Sequence, residues 1–368
     1  MKRTLPSAGG VTLFLAIVLF AAVVTASRPG VSAGGPAVSL GPASSGAAED
    51  DRTGTVWVVN RDLGELAIFD AGTGDLLKTL AVGRGAHDIC ISEQTGKAYI
   101  TAETDNVVTV VDTETLARHS ITVGPLPHHL EPSNDGHTIY VSLASHTPAM
   151  GAAQYAAIDT SDDSVTYLTS SDDAAARPHA ISPTLDGDRL YIAHDTGNQV
   201  TAIDTATGSV DFTITGIPRA EESIPSRFGD LLWVAARGDN TVKRIDLASH
   251  TVTGSVPIGV QPESIMLTPN ELTLVVSLRG SPASLGFVDT LTLTSLGLVQ
   301  IGPAGSAGDL AVMTMNGHHV FATYDNGTAG TGGVAVVDVR TPGVVDRWDY
   351  PGTGRPHGVW YSKKQARF

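Results

Sequence analysis

At seven places in this chain a short apolar segment starts with a residue that can hold a metal ion. Five share one frame: Ala86-His87, Pro127-His128, Pro178-His179, Pro262-Glu263 and Pro356-His357. Two need a looser fit. Glu222 is placed by the Glu-Ser-Ile phrase that residues 222–224 share with 263–265, and Asp309 follows Gly308. Imidazoles suit copper, iron and zinc; carboxylates suit harder ions or orient neighbouring imidazoles. If the seven segments converge, His87, His128, His179 and His357 are expected to bind one transition metal, aided by one or more of Glu222, Glu263 and Asp309. The sequence leaves copper, iron and zinc all open, and also a ring that carries only water. His129 adjoins His128, and strict strand alternation would turn it to the opposite face, into packing between neighbouring repeats.

The elements that must position these residues recur along the chain. A phrase ending in an aspartate, at Asp70, Asp112, Asp159, Asp204, Asp246, Asp289 and Asp338, returns every 42 to 49 residues. That spacing fits one four-stranded propeller blade per unit. Each aspartate closes a strand and opens a turn whose backbone an Asx side chain can bond. Aromatic and β-branched runs such as Val56–Val59, Tyr99–Thr101 and Trp233–Ala235 read as half-buried strands. Val56–Val59 matches a second strand and Pro356–Val359 a first strand, so the two ends of the chain share one blade. The expected fold is all-β, a single seven-bladed β-propeller spanning residues 53–368.

Arg177-Pro178-His179-Ala180-Ile181-Ser182-Pro183, Leu190-Tyr191-Ile192 and Ala202-Ile203-Asp204-Thr205 resemble the repeat of the YVTN propellers. The resemblance covers residues 55 to about 362 and implies the seven-bladed architecture, not a function. Four histidines with three acids are also similar in composition to the iron centre of the carotenoid-cleaving oxygenases. That likeness is of constellation, without shared sequence.

In a propeller, inner strands run away from the ring and second strands return to it. Loops after the second strands therefore surround the ring. Arg61, Arg237 and Arg279 hold equivalent places there and, with His194, are candidates to bind a substrate carboxylate or phosphate. The competing reading for each arginine is an ion pair with a neighbouring acid. Two longer loops on the same face, Ser145–Gln154 with His146 and Met150, and Asp325–Gly333, are candidate pocket walls.

The 368 residues carry a formal charge of -15, which disfavours nucleic acid and anionic lipid as partners. Lys2 and Arg3 precede an apolar run, Val11–Ala26, so residues 1–33 read as an export signal. Residues 34–52, rich in Gly, Ala, Ser and Pro, read as a flexible tether. The expected location is extracellular, an uncleaved N-terminal anchor being the lesser alternative, and the expected state is a monomer. Cys90, the one cysteine, reads as a buried structural thiol. No phosphate loop, dinucleotide fingerprint or zinc-protease motif is present. These readings favour a metal-dependent enzyme (oxidoreductase, hydrolase or lyase) acting on a small organic or peptide ligand at the channel mouth. The alternatives are a non-catalytic binding scaffold and a metal-free, lactonase-like hydrolase.

Overall fold

The structure is a computed structural model and describes residues 52–144, 153–171, 173, 176–327 and 330–365. The export segment, the tether except Arg52, and His146 and Met150 lie outside the described residues. Among the described residues twenty-eight strands, from β1 (Thr55–Asn60) to β28 (Pro356–Ser362), form seven four-stranded antiparallel sheets, the blades of the expected propeller. Blade 1 has the strand order β28-β1-β2-β3, with β2 at Glu65–Asp70 and β3 at Leu76–Ala81, so segments from opposite ends of the described chain build it. Val56 lies opposite Tyr361 and Val58 opposite Val359. Blades 2 to 7 follow in chain order. Their inner strands are β4 (Ala86–Ser92), β8 (Pro127–Pro132), β12 (Pro178–Pro183), β16 (Ala220–Pro225), β20 (Pro262–Leu267) and β24 (Ala307–Met313).

Apolar packing holds the blades against one another. Trp57, Leu66 and Ile68 of blade 1 cluster with Ile89 and Ile100 of blade 2, and similar clusters join successive blades round the ring. Cys90 is buried in such a cluster, as expected. The recurring aspartates make the expected turns. Asp70 Oδ1 accepts the Gly72 and Thr73 N–H groups, both at 2.9 Å, and Asp204, Asp289 and Asp338 do the same for their own turns.

Every inner strand carries a bulge near its start. In β8, Pro127 lies opposite Leu143 and Leu130 opposite Val141, so three steps on one strand meet two on its partner. The same shift falls between Ala86 and Ile89, Pro178 and Ile181, and Pro262 and Ile265. An extra residue breaks the alternation of faces and re-aims side chains. In several blades a hydroxyl on the second strand satisfies the disturbed backbone. Ser142 Oγ accepts the His129 N–H at 3.0 Å and donates to the His179 carbonyl of the next blade at 2.5 Å. Thr101 does likewise between Asp88 N–H and the His128 carbonyl, and Thr323 donates to the Leu310 and His357 carbonyls.

Ser142→Ala would leave a buried N–H and a buried carbonyl without these partners. The expected cost is about 1–3 kcal/mol, read as a lower urea midpoint at unchanged slope. An unchanged midpoint would show that the clamp contributes nothing.

Candidate metal centre

Because of the bulges, two successive residues of each inner strand face the channel. The first tier holds His357, His87, His128 and His179 from blades 1 to 4, then Glu221, Glu263 and Asp309 from blades 5 to 7. The sequence reading placed Glu222 here, and the structure corrects it by one residue. Ala220 lies opposite Ala236 just as Pro262 lies opposite Leu278, so Glu221 is the equivalent of Glu263. The shared Glu-Ser-Ile phrase is out of register by one. Glu222 falls in the second tier, with Asp88 and His129.

His129 is the other correction: the bulge brings its ring among the histidines instead of between blades. The ring centroids of His87 lie 3.9 Å from those of both His128 and His357. His129 lies 4.6 Å from His128, 4.7 Å from His179 and 5.1 Å from His87. Potential ligand atoms of His87, His128 and His129 all fall within 4.8 Å of one another, and so do those of His129, His179 and Glu263. His129 thus belongs to both groups. Its Nδ1 is 2.9 Å from Asp88 Oδ2, which leaves Nε2 as the free nitrogen.

The nitrogens of the other rings have distinct neighbours. Nε2 of His87 and of His128 lie 3.8 and 3.6 Å from Glu103 Oε1, while their buried Nδ1 atoms have no hydrogen-bond partner among the described residues. His179 is more committed, with Nε2 2.9 Å from Glu221 Oε2 and Nδ1 2.8 Å from the Glu221 carbonyl. His357 Nε2 lies 3.2 Å from Asp309 Oδ2.

Burial, and then the imidazole of His128, push His87 well below the ordinary histidine value; burial and His179 do the same to His128. Burial and the Arg279 charge depress His357. Burial takes His179 down to about 4 against the pull of Glu221. Burial opposes protonation of His129 too, but the hydrogen bond and charge of Asp88 outweigh it and raise that ring. Among the acids, burial lifts Asp309 to about 6 against Arg279, and lifts Glu222 to about 8. His87, His128, His179 and His357 are therefore neutral near pH 7, as ligation requires.

The arginines take the ion-pair reading. Arg61 Nη2 donates to Glu103 Oε2 at 2.5 Å. Arg237, half-buried above the ring, lies 3.0 Å from Glu221 Oε1 and also pairs with Glu263. Arg279 bridges Glu263 and Asp309 at 3.5 and 3.8 Å. Together they cover this mouth of the channel. His194 is not among them. It ends the second strand of blade 4 opposite Pro178, fully buried beside the Ser170 and Ala176 backbone.

No family model and no curated protein matches the chain. Among solved structures it is similar to the Kuenenia stuttgartiensis hydrazine synthase, at 18% identity and TM-score 0.66 over 78% of this chain and 92% of that one. A functionally unknown protein of Desulfotomaculum acetoxidans gives 13% and 0.69 over 84% and 99%. The dihydro-heme d1 dehydrogenase NirN, solved in complex with DHE, gives 14% and 0.60 over 85% and 76%. The likeness is one of fold.

The depressed rings link stability to pH. His87 takes up a proton in the unfolded chain near pH 6.5 but in the folded chain only far lower, so its contribution is full above pH 6.5 and falls as the pH drops. Between pH 7 and pH 5, chelator-treated wild type is expected to lose about 2 kcal/mol relative to His87→Gln, measured by urea unfolding. Parallel pH profiles would contradict a buried neutral His87.

Proposed function

We propose that this chain is an exported enzyme of the YVTN propeller kind that holds one transition-metal ion on its axis and acts on a small organic substrate. The observation that carries the reading is the trio His87, His128 and His129. Their ligand atoms lie within 4.8 Å of one another, and each ring keeps a buried nitrogen without a protein partner. Two ligands each about 2.0–2.2 Å from an ion can be at most about 4.4 Å apart, so modest side-chain rotation closes the trio on a single centre. An all-imidazole core is common ground for copper, iron and zinc. His179, His357 and Glu263 stand next in line.

A bound ion would supply Lewis-acid or redox chemistry. The chain's own residues prepare the donors. Asp88 accepts a hydrogen bond from His129 Nδ1–H, which on the neutral ring leaves the Nε2 lone pair for an ion, the carboxylate–histidine arrangement that fixes a ligand's tautomer and direction. Glu103 faces Nε2 of His87 and His128, which favours the proton there and the lone pair on Nδ1. The arginine–carboxylate pairs above the ring keep water from the imidazoles on that side. Residues 1–33 support export, and the net charge of -15 argues against nucleic acid and anionic membrane as partners.

Elemental analysis of the exported chain is expected to give one equivalent of transition metal. His128→Ala combined with His129→Ala should remove it, whereas His119→Ala, which alters an exposed ring on an outer strand, should not. A metal-free wild type would end this reading in favour of a binding scaffold, and full metal in the double variant would end the ligand assignment. Asp88→Asn should weaken metal about 10- to 100-fold in chelator competition, with the urea midpoint of the metal-free protein reporting separately on the fold.

A further inference from the structure

Beneath the histidines the channel opens into a cavity of about 380 Å³, walled by the second tier and by residues farther down the inner strands. Three carboxyl groups face it: Asp88, Glu131 and Glu222. Among the described residues the only base in its wall is His129, whose Nδ1 bonds Asp88, and no lysine or arginine lines it. The remaining wall is mainly apolar, with Leu130, Ile181, Ile265, Met266, Leu310 and Trp360. Glu131 has no hydrogen-bond partner among the described residues. His129, 4% exposed, keeps Nε2 unpartnered at the roof.

The cavity has a way out on the face opposite the ring. A wider vestibule of about 530 Å³ lies among the hairpins that follow the inner strands, lined by Glu93, Ser133, Leu185, Arg227 and Pro269. Pro183, Ile224, Pro225 and Leu267 belong to the walls of both. The opposite mouth is covered by Arg61, Arg237 and Arg279 with their acids. The short path to His129 therefore runs from the hairpin face.

We infer that this cavity binds a small organic ammonium ion with an apolar body, admitted from the hairpin face and held directly beneath the histidine cluster. A cation gives Glu131 and Glu222 the kind of partner that Asp88 already has in His129, and its hydrocarbon part meets the aliphatic and aromatic sides. The volume is at the small end of ligand pockets, which run to about 300–1,000 Å³, and excludes a folded peptide or a polymer. An anion would meet three carboxyl groups against a single imidazole here. That the bound amine is the substrate rests on the metal reading above; that the cavity takes an amine does not.

The test is calorimetric titration of the full chain, chelator-treated and metal-loaded, with hexylammonium, hexanol and hexanoate. Hexylammonium is expected to bind both forms at least tenfold more tightly than hexanol, with no binding of hexanoate. Glu131→Gln combined with Glu222→Gln should remove that tenfold preference. Ala311→Phe, which fills the cavity from blade 7, should abolish binding while urea unfolding shows the fold intact. Equal binding of hexanol and hexylammonium, or none of either in both forms, would overturn the inference. Binding of the amine to a chain that carries no metal in elemental analysis would uphold the cavity assignment and sink the enzyme reading alone.

Discussion

One added residue near the start of each inner strand sets what the channel contains. Without it, alternation would send every second side chain away from the axis, and the channel would present one residue per blade at this level. With it, successive residues such as His128 and His129 both turn inward, and the axis gains a second tier. A bulge disturbs backbone pairing, and an unpaired buried N–H or carbonyl is costly. Thr101, Ser142 and Thr323 resolve that cost and link each distorted strand to the next blade. The hydroxyls thereby fix the spacing of the imidazoles they never touch.

The electrostatics of the axis follow from this crowding. Imidazoles at van der Waals separation cannot all be protonated, and burial removes water as a partner, so most of the cluster is neutral. The acids of blades 5 to 7 cannot all be left charged and alone either. Arg237 and Arg279 lie over them, and Arg61 lies over Glu103. Arginine suits such positions because its fixed fork can serve two carboxylates at once. One mouth of the channel is thus finished in paired charge, whereas among the described residues the cavity below sets Asp88, Glu131 and Glu222 against the single imidazole of His129. The two ends of the same axis differ in chemistry because arginines pair with the ring acids at one of them, whereas at the other Arg227 stands in the vestibule and not in the cavity wall.

Much of this was legible in the residues. The recurring aspartates mark the strand ends because an Asx side chain does the same work in every turn, and the aromatic and β-branched runs mark the second strands. Closure through both chain ends followed from a half-blade at each. Six of the seven first-tier residues were found from the Pro-x frame and its variants. Glu222 was misplaced because a local phrase, Glu-Ser-Ile, outweighed the register. The better signal was present in Arg237 and Arg279, which follow second strands of identical length and tie Ala220 to Pro262. His129 was misassigned for a different reason: alternation is a local rule, and the bulge that breaks it is a property of pairing with a strand some ten residues away. His194 looked like a mouth residue from its place at a strand end, but the side chain of that position turns between blades. The cavity itself has no spelling, since its walls come from all seven blades.

The last strand of the chain delivers His357 to the ring and closes blade 1 at the same stroke. A polypeptide without β28 would carry both an open edge on β1 and a ring short of one imidazole. The pairing that closes the last sheet is thus also the step that completes the histidine arc, so blade closure and site assembly are one event.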